Sequence, residues 1–149
     1  MDNVHDELKR KFWTQFISAK TQGHKNIYKD KSSTPKNGVG QDTEFSGVSV
    51  YVNLNLDKIN VTLVVHSNSV EESNDIFNYL EQNSHEIQKH FPEKIFWKKK
   101  PFIRRILVIT NHELRYDKQS DWGEINTWFI KTSYLLKKSA EEVLCNYAS

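Results

Sequence analysis

The stretch GVSVYVNLNLDKINVTLVVHS, residues 47–67, decides the fold. Its first half alternates valine and leucine with polar residues, and Ile59, Leu63 and Val65 share one face of its second half. Alternation with a period of two is typical of a strand with one buried face. Residues 56–58 interrupt the pattern, so the stretch predicts two antiparallel strands joined by a tight turn.

Amphipathic helices are predicted on both sides of this hairpin. Residues 4–19 carry apolar side chains four positions apart, which predicts a first helix. The segments Ser69-Val-Glu-Glu72 and Asp121-Trp-Gly-Glu124 both have the spacing of a capping box. We therefore expect a second helix that ends at Pro92, with a possible break near residues 83–84, and a final helix that runs to about residue 147.

A second hairpin and a long loop complete the predicted order. Residues 94–110 contain two β-prone runs on either side of Pro101, and the residues from about 20 to 46 are polar with little periodicity. The element order is then α-β-β-α-β-β-α. Helices on one face of an antiparallel sheet make an α+β fold. We predict a single domain over residues 1–149, with a four-stranded antiparallel sheet packed against helices.

Composition limits the class of protein. The chain has 149 residues, of which 37% are apolar, and this length suits one domain with an ordinary core. No apolar run approaches the length of a membrane span, and the charged N-terminus is unlike a signal peptide. Cys145 is the single cysteine, which excludes a disulfide framework and a cysteine-based zinc site. We expect a cytoplasmic protein without a membrane partner.

The formal net charge of +2 conceals separate blocks of opposite sign. Residues 94–105 contain six basic residues and no acidic one, and residues 9–31 contain seven basic residues against Asp30. Residues 71–93 contain six acidic residues against Lys89. This segregation predicts two oppositely charged surfaces, either of which can select a partner.

No complete catalytic or metal-binding signature is present. The pair Glu7-Leu-Lys9 has nuclease-like spacing but falls on a predicted helix, and His85 and His90 are five residues apart, one more than a zinc site on one helix face requires. We therefore predict no catalytic residue, no metal and no cofactor. One alternative stays open, which is an enzyme or small-ligand site in the polar loop His112–Asp121.

The most informative local feature is the basic hairpin, residues 94–105. Lysines cluster at its turn and aromatic side chains stand between them. Lysines neutralise phosphates and aromatic rings stack on bases, although lysine also protects sheet edges from aggregation. The predicted nucleic-acid contacts are Lys94, Trp97, Lys98, Lys99, Lys100, Arg104 and Arg105.

These segments together resemble a bacterial family, domain of unknown function 4268. The resemblance rests on residues 12–16 (FWTQF), the hairpin GVSVYVN…INVTLVV, the run IFNYLEQNSHEIQKHF…IFWKKK, Arg104-Arg105-Ile106 and Asp121-Trp122…Trp128-Phe129. It covers about residues 8–145. Members of the family often follow a restriction-endonuclease-like domain, so the resemblance implies a DNA-associated or phage-defence setting. It supplies no catalytic residue.

Two functions follow as expectations. The first is a non-catalytic, nucleic-acid-associated module of a bacterial restriction or phage-defence system, whose partners are DNA or RNA and a nuclease or other defence protein. The second is a protein-interaction or homodimerisation domain without nucleic-acid binding. In that case the acidic helix 71–93 of one copy meets the basic hairpin of another.

Overall fold

The computed structural model describes residues 4–99 and 105–147 of the chain. The helices are α1 Val4–Ile17, α2 Val70–Gln82, α3 Ser84–Gln88 and α4 Trp122–Tyr147, and a short 3-10 turn at Gln119–Asp121 precedes α4. The strands are β1 Gly38–Asp42, β2 Val48–Asn55, β3 Lys58–Val65, β4 Phe96–Lys99 and β5 Arg105–Asn111.

The strands form one antiparallel sheet in the order β1-β2-β3-β5-β4. The hairpin predicted from residues 47–67 is confirmed as β2 and β3, whose pairing runs from Val48 with Val65 to Asn55 with Lys58. The second predicted hairpin is confirmed as β4 and β5, although β5 lies between β3 and β4 so that β4 forms an edge. Residues 100–104 of its turn lie outside the described residues.

The predicted count of four strands is wrong, because the sheet has five. The additional strand β1 falls inside the segment predicted to be a long polar loop. Its sequence, Gly-Val-Gly-Gln-Asp, has one apolar side chain, Val39, and no β-prone run. Gly40 suits this strand because a Cβ there would lie 2.5 Å from the ring of Tyr51 on β2. The order is therefore α-β-β-β-α-α-β-β-α.

All the described helices lie on one side of the sheet. The side chains at alternate strand positions on that side are buried, and α4 packs along β2 and β3 while α2 packs against β3 and β5. Val61 lies on this face with Ile59, Leu63 and Val65. The α+β class with an antiparallel sheet and a helix layer is thus confirmed, with one shared core.

An aromatic cluster joins α1 to α4. Phe12, Trp13 and Phe16 are fully buried and surround Phe129, with ring centroids 5.5 to 6.1 Å apart. The indole N–H of Trp13 donates to the carbonyl of Lys36 at 2.9 Å, so burial of this ring leaves no unpaired donor. The tryptophans at 122 and 128 are likewise satisfied, by the carbonyl of residue 116 and the carboxylate of residue 93.

Local sequence signals predict both ends of α2 correctly. The Ser69 hydroxyl accepts from the amide of Glu72 at 3.0 Å, which confirms the predicted cap. The helix ends at Gln82, and Asn83 donates its side-chain amide to the carbonyl of Tyr79. The predicted break near residues 83–84 is therefore real, and α3 is a separate short helix.

Two buried polar residues anchor the segment between α1 and β1. The Asn26 side-chain amide donates to the carbonyls of Phe16 and Ala19, which satisfies the C-terminal end of α1. Tyr28 is fully buried, and its hydroxyl donates to the carbonyl of Val50 at 2.8 Å. The segment therefore follows the helix side of the sheet and is tied to the core before β1 begins.

Replacing Tyr28 by phenylalanine is expected to lower the free energy of unfolding by about 1 kcal/mol at neutral pH, since one buried hydrogen bond is lost. Burial raises the pKa of Tyr28 well above its ordinary value of 10.0. The unfolded chain therefore ionises first, and stability is lost as the pH rises above that value. Urea unfolding between neutral and alkaline pH should show a shallower loss in Tyr28→Phe. An unchanged alkaline loss would contradict this.

Candidate nucleic-acid interface

The pleat of β4 sends its side chains to opposite faces of the sheet. Trp97 pairs with Leu107, a fully buried residue on the helix side. Phe96 and Lys98 therefore point away from the helices, to the face that we call the open face. No described helix covers that face.

The exposed part of the hairpin is centred on Phe96, which is not among the contacts predicted from the sequence. This ring is 50% exposed on an edge strand. The ammonium of Lys94 lies 5.7 Å from its centroid, within the range of a cation–π contact. Lys98 is exposed two residues further along the same face. An aromatic plane between two amines can stack on a base while the amines meet phosphates.

Trp97 and Lys99 lie on the helix side of the same strand. The Trp97 ring meets Phe77 of α2 edge to face, with centroids 5.6 Å apart. The Lys99 ammonium lies 5.7 Å from the centroid of the same Phe77 ring. Trp97 is half-buried and part of the packing between α2 and the sheet. Its position makes it a support for the edge strand, not an exposed stacking platform.

Arg105 is buried, with 9% of its surface exposed. It pairs with Val65 on the helix side, and its Nε donates to the Asn74 side-chain oxygen at 2.6 Å. A guanidinium held against α2 is removed from the open face, so it does not belong to the exposed contact surface. The other two predicted contacts, Lys100 and Arg104, lie outside the described residues.

The lysines of β4 are not neutralised by the acidic helix. Lys94, Lys98 and Lys99 form no ion pair with a carboxylate of the described residues. The acidic side chains of α2 lie on the helix side, whereas the open face carries one strand carboxylate, Asp42, at the far edge among the described strands. The potential of the open face is therefore most positive along β4.

Sequence reasoning missed Phe96 and the rest of the open face. One row crosses all five strands and consists of Gly40, Tyr51, Thr62, Val108 and Phe96. Tyr51 lies close over Gly40. The alternation in residues 47–67 already marks the outward positions of β2 and β3. Their proximity to Phe96 depends on strand order, which the alternation does not encode.

The polar side chains of this face are partly organised by their own hydrogen bonds. The Asn53 amide donates to Asn60 Oδ1 at 2.8 Å and to Thr62 Oγ1 at 3.2 Å. These cross-strand bonds order a polar surface on β2 and β3. A face of this kind offers both stacking area and hydrogen-bonding groups to a flexible chain.

A serine, a histidine and an aspartate meet where β1 ends, but the direction of their hydrogen bonds does not suit a hydrolytic triad. The Ser49 hydroxyl donates to Asp42 Oδ1 at 2.9 Å. Its single proton is thereby used, so His66 Nε2, at 2.9 Å, donates to the serine oxygen. An activated serine instead donates its proton to histidine. Ser49 is also 3% exposed, which denies a substrate access.

The loop His112–Asp121 is organised by local contacts. Arg115 binds Asp117 through two hydrogen bonds of 3.0 Å, and the guanidinium holds the pKa of that carboxyl below its usual range. The Asp121 carboxylate accepts from the amide of Arg115 at 3.0 Å. A neighbouring cavity is lined by Glu113, and neither His112 nor Asp117 reaches it. The residues proposed for an alternative catalytic or ligand site are thus not brought together.

Two further observations concern the whole described chain. Within residues 4–99 and 105–147, no three His, Cys, Asp or Glu side chains come together as a metal ion would require. Among the described helices, none is long and apolar enough to cross a bilayer.

Residues 8–144 match the model of a family described as Domain of unknown function (DUF4268). The chain belongs to this family. The resemblance drawn from the aromatic segments is therefore confirmed at the level of the family. The DUF4268 match runs from within α1 to near the end of α4, so the sheet and its helix layer are the family's domain. Neither a curated protein nor a solved structure matches the chain.

Proposed function

We propose that this DUF4268 domain binds single-stranded nucleic acid on the open face, along β4, and catalyses no reaction itself. The observation that carries the proposal is Phe96, a half-exposed aromatic ring between Lys94 and Lys98 on a face turned away from the acidic helix. Base stacking on an aromatic ring tolerates any sequence, and amines beside the ring add phosphate contacts.

The geometry favours a single strand over a duplex. Phe96 lies on an edge strand of the sheet and not on a helix that could enter a major groove. An unpaired base can reach the ring directly, whereas a paired base would first have to leave its stack. The partly exposed Ile106, which pairs with Lys98, extends the apolar area at β4.

The biological setting is part of the same proposal. We expect the domain to act in the bacterial cytoplasm, in a restriction or phage-defence system, beside a nuclease or another defence protein. The support for this setting is the family resemblance, since domains of this family often follow a restriction-endonuclease-like domain and some stand alone. The domain would then supply nucleic-acid contact to a catalytic partner.

The test is anisotropy with fluorescein-labelled dT12, U12 and a duplex of the same length, at about 50 and 200 mM salt. Phe96→Ala is expected to weaken single-strand binding by about 5- to 150-fold, the range for loss of one stacked base. Lys98→Glu should weaken binding and flatten its salt dependence. Phe96→Tyr should retain most of the affinity because it keeps the ring.

The matched control is Lys11→Glu, which makes the same charge change at an exposed position of α1. It should leave binding within about twofold, because long-range charge effects are screened in this salt range. The proposal fails if the native chain does not bind any of the three probes at low salt. It also fails if the Phe96 and Lys98 variants bind as Lys11→Glu does.

A homodimer is the second candidate, and one observation favours it. The exposed acidic residues of α2 and the lysines of β4 make no ion pairs with each other within the described chain, so both blocks remain available to a second copy. Light scattering at high protein concentration distinguishes the two functions. A monomer at low and high salt would exclude the dimer and leave the nucleic-acid proposal untouched.

A further inference from the structure

A cavity of about 350 Å³ opens at the end of the sheet near the first turns of α1. It lies between that helix, the turn joining β2 to β3, and the loop before α4. Its lining includes His5, Lys9, Asn37, Asn55, Leu56 and Tyr116. A volume of this size suits a small organic molecule.

The polar groups of the cavity have unused hydrogen-bonding capacity. Lys9, Asn37 and Asn55 make no side-chain hydrogen bond or ion pair with any described residue. His5 Nδ1 lies 3.0 Å from the Tyr116 hydroxyl, and this contact fixes the imidazole at the wall of the cavity. An amine and two carboxamides therefore line the same cavity, beside a histidine that is fixed by its hydrogen bond to Tyr116.

The lack of carboxylates distinguishes this cavity from two others. Among the described residues, its lining includes a lysine and a histidine and no Asp or Glu. The cavity beside Lys137 has two aspartates among three lysines, and the one beside Trp128 contains two glutamates. The N-terminal end of α1 adds the positive end of a helix dipole to the cavity wall.

We infer that this cavity binds a small organic oxyanion, a carboxylate or a phosphate monoester with a short apolar body. The anionic oxygens are held by Lys9, Asn37 and Asn55, and the apolar body rests on Leu56, whose exposed side chain also lines the cavity. Binding here does not depend on the contact proposed for Phe96. The DUF4268 domain would then carry a ligand site separate from its nucleic-acid surface.

The experiment follows the imidazole resonances of His5 by NMR during titration at constant ionic strength and pH. Benzoate and phenyl phosphate carry the proposed anion on one apolar ring, and benzamide carries the same ring without charge. We expect saturable shifts with at least one anion and binding at least about tenfold weaker with benzamide. The stronger of the two anions tells carboxylate from phosphate.

Two variants and a control separate the site from general charge effects. Lys9→Gln should weaken anion binding by about tenfold or more, whereas Lys11→Gln, two residues away and exposed, should not. Asn55→Asp places a carboxylate in the cavity and should abolish anion binding even if Lys9→Gln folds poorly. Equal binding of benzamide, shifts that do not saturate, or equal effects of the two lysine variants would each overturn the inference.

Discussion

Replacing Phe129 by alanine is expected to lower the free energy of unfolding by about 3–5 kcal/mol. Phe129 is fully buried in α4 and touches three aromatic rings of α1. Its loss removes apolar contact area and leaves a cavity that rigid rings cannot close. Because α1 is held to the domain mainly through these rings, its docking should weaken most.

Urea unfolding followed by circular dichroism measures this effect, with Phe96→Ala as the matched control. Both variants remove a phenyl ring, but Phe96 is half-exposed on an edge strand. We expect Phe96→Ala to cost only about 1 kcal/mol, because about half of its surface stays in water on folding. A similar loss of stability in the two variants would contradict the assignment of the core.

Replacing Glu141 by alanine should lower the free energy of unfolding by about 2–3 kcal/mol. Its carboxylate pairs with the Lys137 ammonium at 2.8 Å and accepts from the amide of Glu44 at 2.9 Å. The Glu141 side chain is 7% exposed and that of Lys137 is 19% exposed. Alanine would leave the largely buried Lys137 ammonium without its partner. It would also remove the hydrogen bond that ties the turn between β1 and β2 to α4.

Three further variants separate the charge from the packing. Glu141→Gln keeps an acceptor for the Glu44 amide and should cost less than Glu141→Ala. The double variant Lys137→Met with Glu141→Leu should recover much of the loss, since no charge is then left without its partner. Glu142→Ala, at the exposed neighbouring position, should change stability little. If Glu142→Ala costs as much as Glu141→Ala, the buried pair is not the cause.

The predictions that the structure confirms rest on signals within one segment. The alternation of residues 47–67 and the capping spacing at Ser69 require only that neighbours in sequence adopt one backbone geometry. Strand β1 has no such signal. Its five residues pair because β2 presents an unfilled edge and because Tyr51 can close over Gly40.

The candidate site also has a part that is predictable from the sequence and a part that is not. Sequence alone identifies the basic hairpin but selects Trp97 as an aromatic contact, although Phe96 and Trp97 are adjacent and either could face outward. The pairing of Trp97 with Leu107 decides between them, and the pairing of Arg105 with Val65 directs that guanidinium to α2. A shift of one residue in register would exchange every one of these faces.

The sequence by itself therefore determined the family, the α+β class, the central hairpin and the segregation of charge. These follow from local pattern and composition, which act before any long-range contact forms. Only the tertiary structure decided the fifth strand, the exposure of Phe96 and the cavity near His5. All three features depend on which distant segments become neighbours. Strand order and register decide this, because the strands must bury one common face against the helices.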